Sequence, residues 1–280
     1  MRRVESAHSL DEPGKALGRT IRGAFASQPL KDALSGTWLG HAVHPMLTDI
    51  VIGSFTSASL LDLLGPADTG AASERLIAIG IAAYIPTAAT GANDWADTEV
   101  GDETIRRAGL VHAGCNAVGA SLYGASWAAR RRGAHRLGAT LGFAGMTAMV
   151  VGAYLGGHLS FTRGVGPAQT VFDPGPDEWT PAADASLLPD GKPLRAVVED
   201  TPVLLLRDGE NIFAIHDRCS HRGCSLSSGE IEGDEIVCPC HGSRFDRRDG
   251  SVRRGPATSA QPSFQVRQRE GRIEIRLLRP

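Results

Sequence analysis

Two short stretches near the C-terminus carry residues that bind metals: Cys219-Ser-His221-Arg-Gly-Cys224 and Cys238-Pro-Cys240-His241-Gly-Ser243. The first holds a Cys-x-His pair and the second a Cys-x-x-His pair, with sixteen residues between His221 and Cys238. Two thiolates and two imidazoles complete a tetrahedral zinc site. They also serve a [2Fe–2S] cluster in which one iron takes two sulfurs and the other two nitrogens. Zinc motifs usually pair like ligands, as Cys-x-x-Cys and His-x3-His. The mixed pairs here favour iron–sulfur chemistry.

The flanking residues point the same way. Ser227-Ser-Gly229-Glu-Ile231, then Cys-Pro-Cys-His-Gly-Ser-Arg-Phe-Asp246 and Gly255-Pro256-Ala257, follow the ligand pattern with little interruption. From about residue 178 to 280 the chain resembles the Rieske [2Fe–2S] family. The resemblance implies that Cys219 and Cys238 hold one iron, and that His221 and His241 hold the other through Nδ1. It places Cys224 and Cys240 where members of the cytochrome bc type carry a disulfide between the two ligand loops. Ser243 matches a hydroxyl that hydrogen-bonds a bridging sulfide in high-potential members. Those members also carry a Tyr where this chain has Phe245, so a potential below the top of the range is expected, since hydrogen bonds to sulfur tune the cluster.

Short β-branched runs bracket these loops: Leu194–Val198, Val203–Leu206, Ile212–Ile215, Glu235–Val237, Phe264–Val266 and Ile273–Ile275. Turn pairs Asp190-Gly191, Asp208-Gly209 and Asp249-Gly250 separate them, which predicts an antiparallel β-domain over residues 181–280. His216, just before the first ligand loop, reads as a surface or strand-end residue.

The first half has a different composition. Residues 108–129 and 137–162 carry no formal charge over 22 and 26 residues, Leu76–Asn93 none over 18, and His44–Leu64 only Asp49 and Asp62. Each approaches the roughly 20 residues that cross a bilayer. They are rich in Ala, Gly and Ser, and Gly138-x3-Gly142 and Gly152-x3-Gly156 have the small-xxx-small spacing of close membrane helices. The fold class predicted is therefore multi-domain: a four-helix transmembrane bundle over residues 36–163, followed by an all-β domain. Gly40-His-Ala-Val-His44-Pro-Met-Leu-Thr-Asp49, Thr90-Gly-Ala-Asn-Asp94-Trp95, His112-x3-Asn116 and Gly156-Gly-His158-Leu resemble a bacterial family of four-helix membrane domains of unknown function. That family name implies no activity.

Threading four helices back and forth places His41, His44, Asp49, Asn93, Asp94, His112, Asn116 and His158 on one side of the membrane. Ionisable groups at membrane depth usually mark a functional site. His44, His112 and His158, with Asp49, Asp94 and Asn116, are therefore a candidate site for haem b, for a quinone, or for a non-haem metal. A His there could also accept quinol protons near neutral pH. Cys115 reads as packing.

Residues 1–35 are polar and lack the apolar core of a signal peptide. Residues 164–180, with Pro167, Pro174, Gly175 and Pro176, read as an extended linker. The basic loop Arg130-Arg-Arg-Gly-Ala-His-Arg136 predicts a cytoplasmic position for itself, hence both termini outside, and a disulfide agrees with an oxidising compartment. That Arg run before the last span also resembles a twin-arginine signal, whereas Arg106, Arg107 and Arg163 lie on the opposite face. A net charge of −2 argues against a nucleic-acid partner. The function expected is membrane-bound electron transfer from quinol or a membrane haem, through a [2Fe–2S] cluster, to a redox partner protein. A membrane-tethered ferredoxin feeding an oxygenase and a redox sensor are the alternatives.

Overall fold

The computed structural model describes residues 1–66 and 68–278, so Ala67 and the last two residues of the expected 181–280 domain lie outside the described residues. The chain divides into two compact units. One comprises Met1–Leu30 and Ala42–Val165, and the other Lys31–His41 and Gly166–Pro280.

The first unit is helical. Helices α1 (Arg2–Glu5) and α2 (Asp11–Ala24) precede α3 (Gln28–Ser35), which runs across the boundary between the units. Four long helices follow: α4 (Val43–Leu64), α5 (Gly70–Thr98), α6 (Glu103–Arg131) and α7 (His135–Gly157), the last continued by a π turn over His158–Thr162. Asp102 caps α6, its carboxylate accepting from the N–H groups of Thr104 and Ile105 at 2.7 and 3.2 Å, which satisfies two otherwise orphaned donors. Among the described residues, α4, α5 and α7 with its π turn are long and apolar enough to cross a membrane. α6 matches their length at 29 residues but is less apolar than they are.

Glycine lets α6 and α7 approach. A Cβ on Gly145 would lie 3.1 Å from the Gly119 carbonyl oxygen, and one on Gly138 would meet the Arg130 side chain at 2.6 Å. Phe55 and Tyr123 stack with ring centres 3.8 Å apart in a core with Val51, Ala58 and Ile77. The polar N-terminal residues do not form a free tail. Glu99, 1% exposed, accepts from Arg106 Nε at 2.6 Å and from Arg22 Nη1 at 2.7 Å. Gly14 and Gly18 of α2 lie directly on that buried pair.

The second unit holds all ten strands among the described residues. A six-stranded sheet has the order β1-β10-β9-β4-β3-β2, and a four-stranded sheet the order β5-β6-β7-β8. The first contains β1 (Thr180–Asp184), β2 (Leu194–Val198), β3 (Thr201–Asp208), β4 (Asn211–His216), β9 (Ser263–Arg269) and β10 (Arg272–Leu277). The second contains β5 (Glu230–Glu232), β6 (Glu235–Val237), β7 (Arg244–Asp246) and β8 (Val252–Arg254). All pairings between these strands are antiparallel, and each of the six β-branched runs lies in a strand. β3 is buried from Thr201 through Leu206, as a central strand covered on both faces should be. Residues 164–180, expected as an extended linker, are largely pinned to this unit. The Gln169 N–H donates to Ser220 O at 2.9 Å, Leu277 N–H to Pro176 O at 2.7 Å, and Thr201 Oγ1 to Asp173 Oδ1 at 2.5 Å.

Candidate metal centre

The first ligand loop leaves β4 and the second joins β6 to β7, and the two loops are built alike. In the first, the Cys219 N–H donates to Cys224 O at 2.8 Å and the Cys219 carbonyl accepts from Gly223 N at 2.7 Å. In the second, the Cys238 N–H donates to Ser243 O at 2.8 Å and its carbonyl accepts from Gly242 N at 3.0 Å. Gly223 and Gly242 have φ of 77° and 73°, a left-handed conformation that glycine adopts at little cost. Each tight loop thus turns its cysteine inward and carries a histidine two or three residues later to the same place.

Both sulfurs are buried, Cys219 and Cys238 each being 1% exposed. Two backbone N–H groups face each thiol: those of His221 and Arg222 for Cys219, and those of Cys240 and His241 for Cys238. Hydrogen bonding between the two thiols raises Cys219 far above the ordinary thiol range and pulls Cys238 down to about 6. The His221 and His241 rings stand edge to face, 4.9 Å between centres and 89° between planes. Burial, then the neighbouring imidazole of His241, pushes His221 down to about 3. Its Nδ1 is buried and has no hydrogen-bond partner. Buried polar atoms are nearly always satisfied, and this nitrogen's lone pair is left open to a metal. Two inward thiols and a neutral, unpartnered imidazole nitrogen fit a [2Fe–2S] group held by Cys219, His221, Cys238 and His241.

Support for the loops was only partly expected. Cys224 and Cys240 are joined as a disulfide across the two loops. Ser243 is fully buried and its Oγ accepts from Ala257 N–H at 3.0 Å, which leaves the hydroxyl hydrogen to donate elsewhere. Phe245 lies in the apolar core beneath the loops with Leu204, Ile215 and Ile236. Asp217, 1% exposed, had no recognisable signal. Its carboxylate accepts from Ser225 Oγ at 2.6 Å, Ser227 N–H at 2.7 Å and Arg195 Nε at 3.1 Å, and so ties the first loop to β2. His216 is wholly buried rather than at the surface. Its Nδ1 accepts from Arg218 N–H at 3.0 Å, and its Nε2 lies 3.5 Å from Asp173.

The bundle histidines are arranged differently. His44 Nδ1 donates to the Thr87 carbonyl at 3.0 Å, with Thr90 Oγ1 at 3.2 Å. His112 Nδ1 donates to the Gly152 carbonyl at 2.8 Å, which makes its Nε2 the acceptor for Asn116 Nδ2 at 3.1 Å. Gly91, Gly152 and Gly156 leave room for these side chains: a Cβ there would come within 2.6 Å of His44, 2.3 Å of Asn116 and 3.0 Å of His112. His44 lies within electrostatic reach of His112. His158 Nε2 is instead bonded to Glu5 Oε1 at 2.8 Å, beside Arg163. Asp94 accepts from Asn93 at 3.3 Å, and Asp49 and His41 are exposed. A bis-histidine haem is therefore poorly served, because His112 has both nitrogens engaged and His158 is held by a carboxylate. The grouping of His8, Asp11 and Glu103 is likewise no metal site, since Arg107 Nη2 lies 2.9, 2.6 and 2.8 Å from the three.

Known proteins match both halves. Residues 178–265 match the model of the Rieske [2Fe–2S] domain, and residues 40–169 match that of a predicted membrane protein family, DUF2231. The ferredoxin subunit of anthranilate 1,2-dioxygenase from Burkholderia cepacia is 31% identical over 98 residues, 35% of this chain and 91% of that protein. The ferredoxin subunit of 3-phenylpropionate/cinnamic acid dioxygenase from Escherichia coli K12 is 37% identical over 99 residues, 35% and 89% of the two chains. Ferredoxin CarAc of Metapseudomonas resinovorans is 35% identical over 74 residues, 26% and 69% of the two.

Proposed function

We propose that this chain, which belongs to the Rieske [2Fe–2S] family, is a membrane-bound electron carrier that takes electrons from quinol and passes them to a redox partner protein. A [2Fe–2S] group supplies one-electron transfer. The observation that carries the reading is the buried, unpartnered His221 Nδ1 beside two inward thiols. Cys219, His221, Cys238 and His241 are the residues proposed to hold the cluster. Four helices, α6 included, are proposed to span the membrane, because α6 lies antiparallel along the apolar helix α7, with Gly138 against Arg130, Gly145 against Gly119 and Gly156 against His112. The β-domain is proposed to lie outside the cytoplasm, a reading supported by the Cys224–Cys240 disulfide, which an oxidising compartment would preserve.

Quinol is preferred to haem as the donor because the bundle imidazoles are engaged by carbonyl, amide and carboxylate groups. His44 and His112 then become the candidate acceptors for quinol protons. The purified full-length protein should show the low average g-value of a His-ligated cluster by EPR and no haem bands in its visible spectrum. Quinol should reduce the cluster in membranes, and failure to do so in the presence of an intact EPR signal would remove the donor assignment. Zinc in place of iron would remove the reading altogether.

A second reading is favoured by the relatives, three of which are ferredoxins, two of them named as dioxygenase subunits. In it the partner is an oxygenase and the helices tether the ferredoxin. Product formation only when an oxygenase is supplied, with no reduction by quinol, would select it.

A further inference from the structure

We infer that residues 31–41 are an intramolecular dock that clamps the Gly255–Ala257 loop beside the cluster, and so ties the cluster edge to the chain segment entering the first membrane helix. These eleven residues belong to the same compact unit as the β-domain, although the residues on both sides of them belong to the helical unit. The Gly255 N–H donates to Asp32 Oδ1 at 3.0 Å, and Thr37 Oγ1 donates to Ala257 O at 3.4 Å. Fit is close as well as polar. A Cβ on Gly255 would lie 2.3 Å from Thr37 Oγ1 and 2.8 Å from Asp32 Oδ1. Ser35 and Gly36 are buried in the segment, and Lys31 is close enough for its charge to act on His221.

Ala257 is the residue whose N–H donates to Ser243 Oγ at 3.0 Å. The dock therefore grips one side of the loop that supports the cluster hydroxyl on its other side. The outer face of the segment has a different character. Trp38 and Leu39 are 70% and 41% exposed, five and four residues before α4 starts at Val43. Tryptophan at the end of a spanning helix settles at headgroup depth. One face of the segment thus holds the cluster loop, while the other carries the aromatic and apolar side chains that suit a bilayer surface. The dock presupposes neither a particular donor nor a particular acceptor.

Hydrogen exchange on the full-length protein in detergent or nanodiscs tests it. Amides of 31–41 and of Gly255 should be protected in the native protein. In Asp32→Ala/Thr37→Ala they should exchange about tenfold faster or more, as a locally opened segment does. Gly255→Ala, which alters only the loop side, should release 31–41 in the same way. A second readout is electrostatic. A cation beside the cluster favours the added electron, so Lys31→Gln should lower the cluster potential in the native background and leave it unmoved in Asp32→Ala/Thr37→Ala. Equal exchange of 31–41 in native and doubly substituted protein would overturn the dock, as would an equal Lys31→Gln shift in both backgrounds. EPR on the same samples reports the cluster separately, so loss of that signal counts against the metal centre and not against the dock.

Discussion

His221 and His112 are both half-buried imidazoles on elements rich in glycine, yet their nitrogens meet opposite surroundings. Around His112 a helix carbonyl takes the Nδ1 hydrogen and an amide caps Nε2, so both nitrogens are satisfied by protein. Around His221 the loop supplies no partner for Nδ1, although that atom is buried. Leaving a buried polar group unpaired costs about 1–3 kcal/mol. A fold that accepts this at one nitrogen while sheltering two thiols beside it is arranged around a group absent from the polypeptide. The bundle shows no such debt at His112. There His112, Asn116 and the Gly152 carbonyl pair with one another, which is how a membrane helix keeps amide and imidazole away from lipid.

The largest expected effect breaks this comparison directly. His221→Ala should abolish the cluster, with iron content falling to near zero and the EPR signal lost. His112→Ala should leave iron and EPR intact and lower thermal stability by roughly 1–3 kcal/mol, the cost of stranding Asn116 and its neighbours. If iron survives His221→Ala, the unpartnered nitrogen was not a ligand. If His112→Ala removes a chromophore, the bundle histidine was one.

Next in size is the charge pair that the bundle buries. Glu99→Ala would strand Arg106, which is 5% exposed and bonded through Nε to Glu99. Breaking a buried pair from one side costs roughly 3–5 kcal/mol. The helical unit should lose its thermal transition at a markedly lower temperature while the cluster spectrum holds, which also shows whether the two units melt separately. Glu99→Gln, keeping the shape and one acceptor, should recover part of the loss.

The two regions were unequally legible in the amino-acid sequence. Ligand loops are local: a thiol and an imidazole within four residues state their chemistry wherever the loop lies. The six strand runs were legible for the same reason, since alternation and β-branching act over a few residues. Asp217 was not legible. Its role depends on Ser225, Ser227 and Arg195 being folded around it, and one more Asp before a loop carries no mark of burial. The polar N-terminus misled for a related reason. Charges such as Asp11, Arg22 and Arg106 look like solvated residues until α2 brings them to buried partners. The four-helix reading weighed absence of charge, and α6 passes that test while remaining less apolar than its neighbours. The glycine spacings Gly138-x3-Gly142 and Gly152-x3-Gly156 were legible as close packing. That Gly152 and Gly156 also make space for Asn116 and His112 needed coordinates.

The disulfide sharpens the same comparison at the next scale down. Cys224 and Cys240 close a loop with a sequence separation of 16 residues, and a loop of that length is worth about 3 kcal/mol in the unfolded-chain model. Cys224→Ser/Cys240→Ser should lower the melting temperature of the β-domain and speed cluster loss under oxygen, without changing the bundle. Alkylation of the native protein without reductant should label neither cysteine. Two readily labelled thiols in protein isolated under oxidising conditions would remove both the covalent tie and the main support for an outward-facing domain.

The smallest expected effect lies where the N-terminus meets the bundle, and it turns on pH. Glu5 accepts from His158 Nε2 at 2.8 Å and Arg163 Nε at 2.9 Å. The His158 hydrogen bond, then that of Arg163, holds its carboxyl below the ordinary value of 4.5. A carboxylate whose folded pKa is depressed stabilises the folded state fully above its unfolded pKa, and the contribution drains as pH falls through the folded value. The tie between α1 and the π turn after α7 should therefore be constant from neutral pH down to about 4.5 and loosen below that. Hydrogen exchange in residues 2–6, corrected for the intrinsic pH dependence of exchange, should show protection falling only in that acidic window. Glu5→Gln should show the lower protection at every pH and no window at all. A loss of protection outside that window, or one that survives Glu5→Gln, would remove the Glu5 carboxylate as the titrating group in this contact.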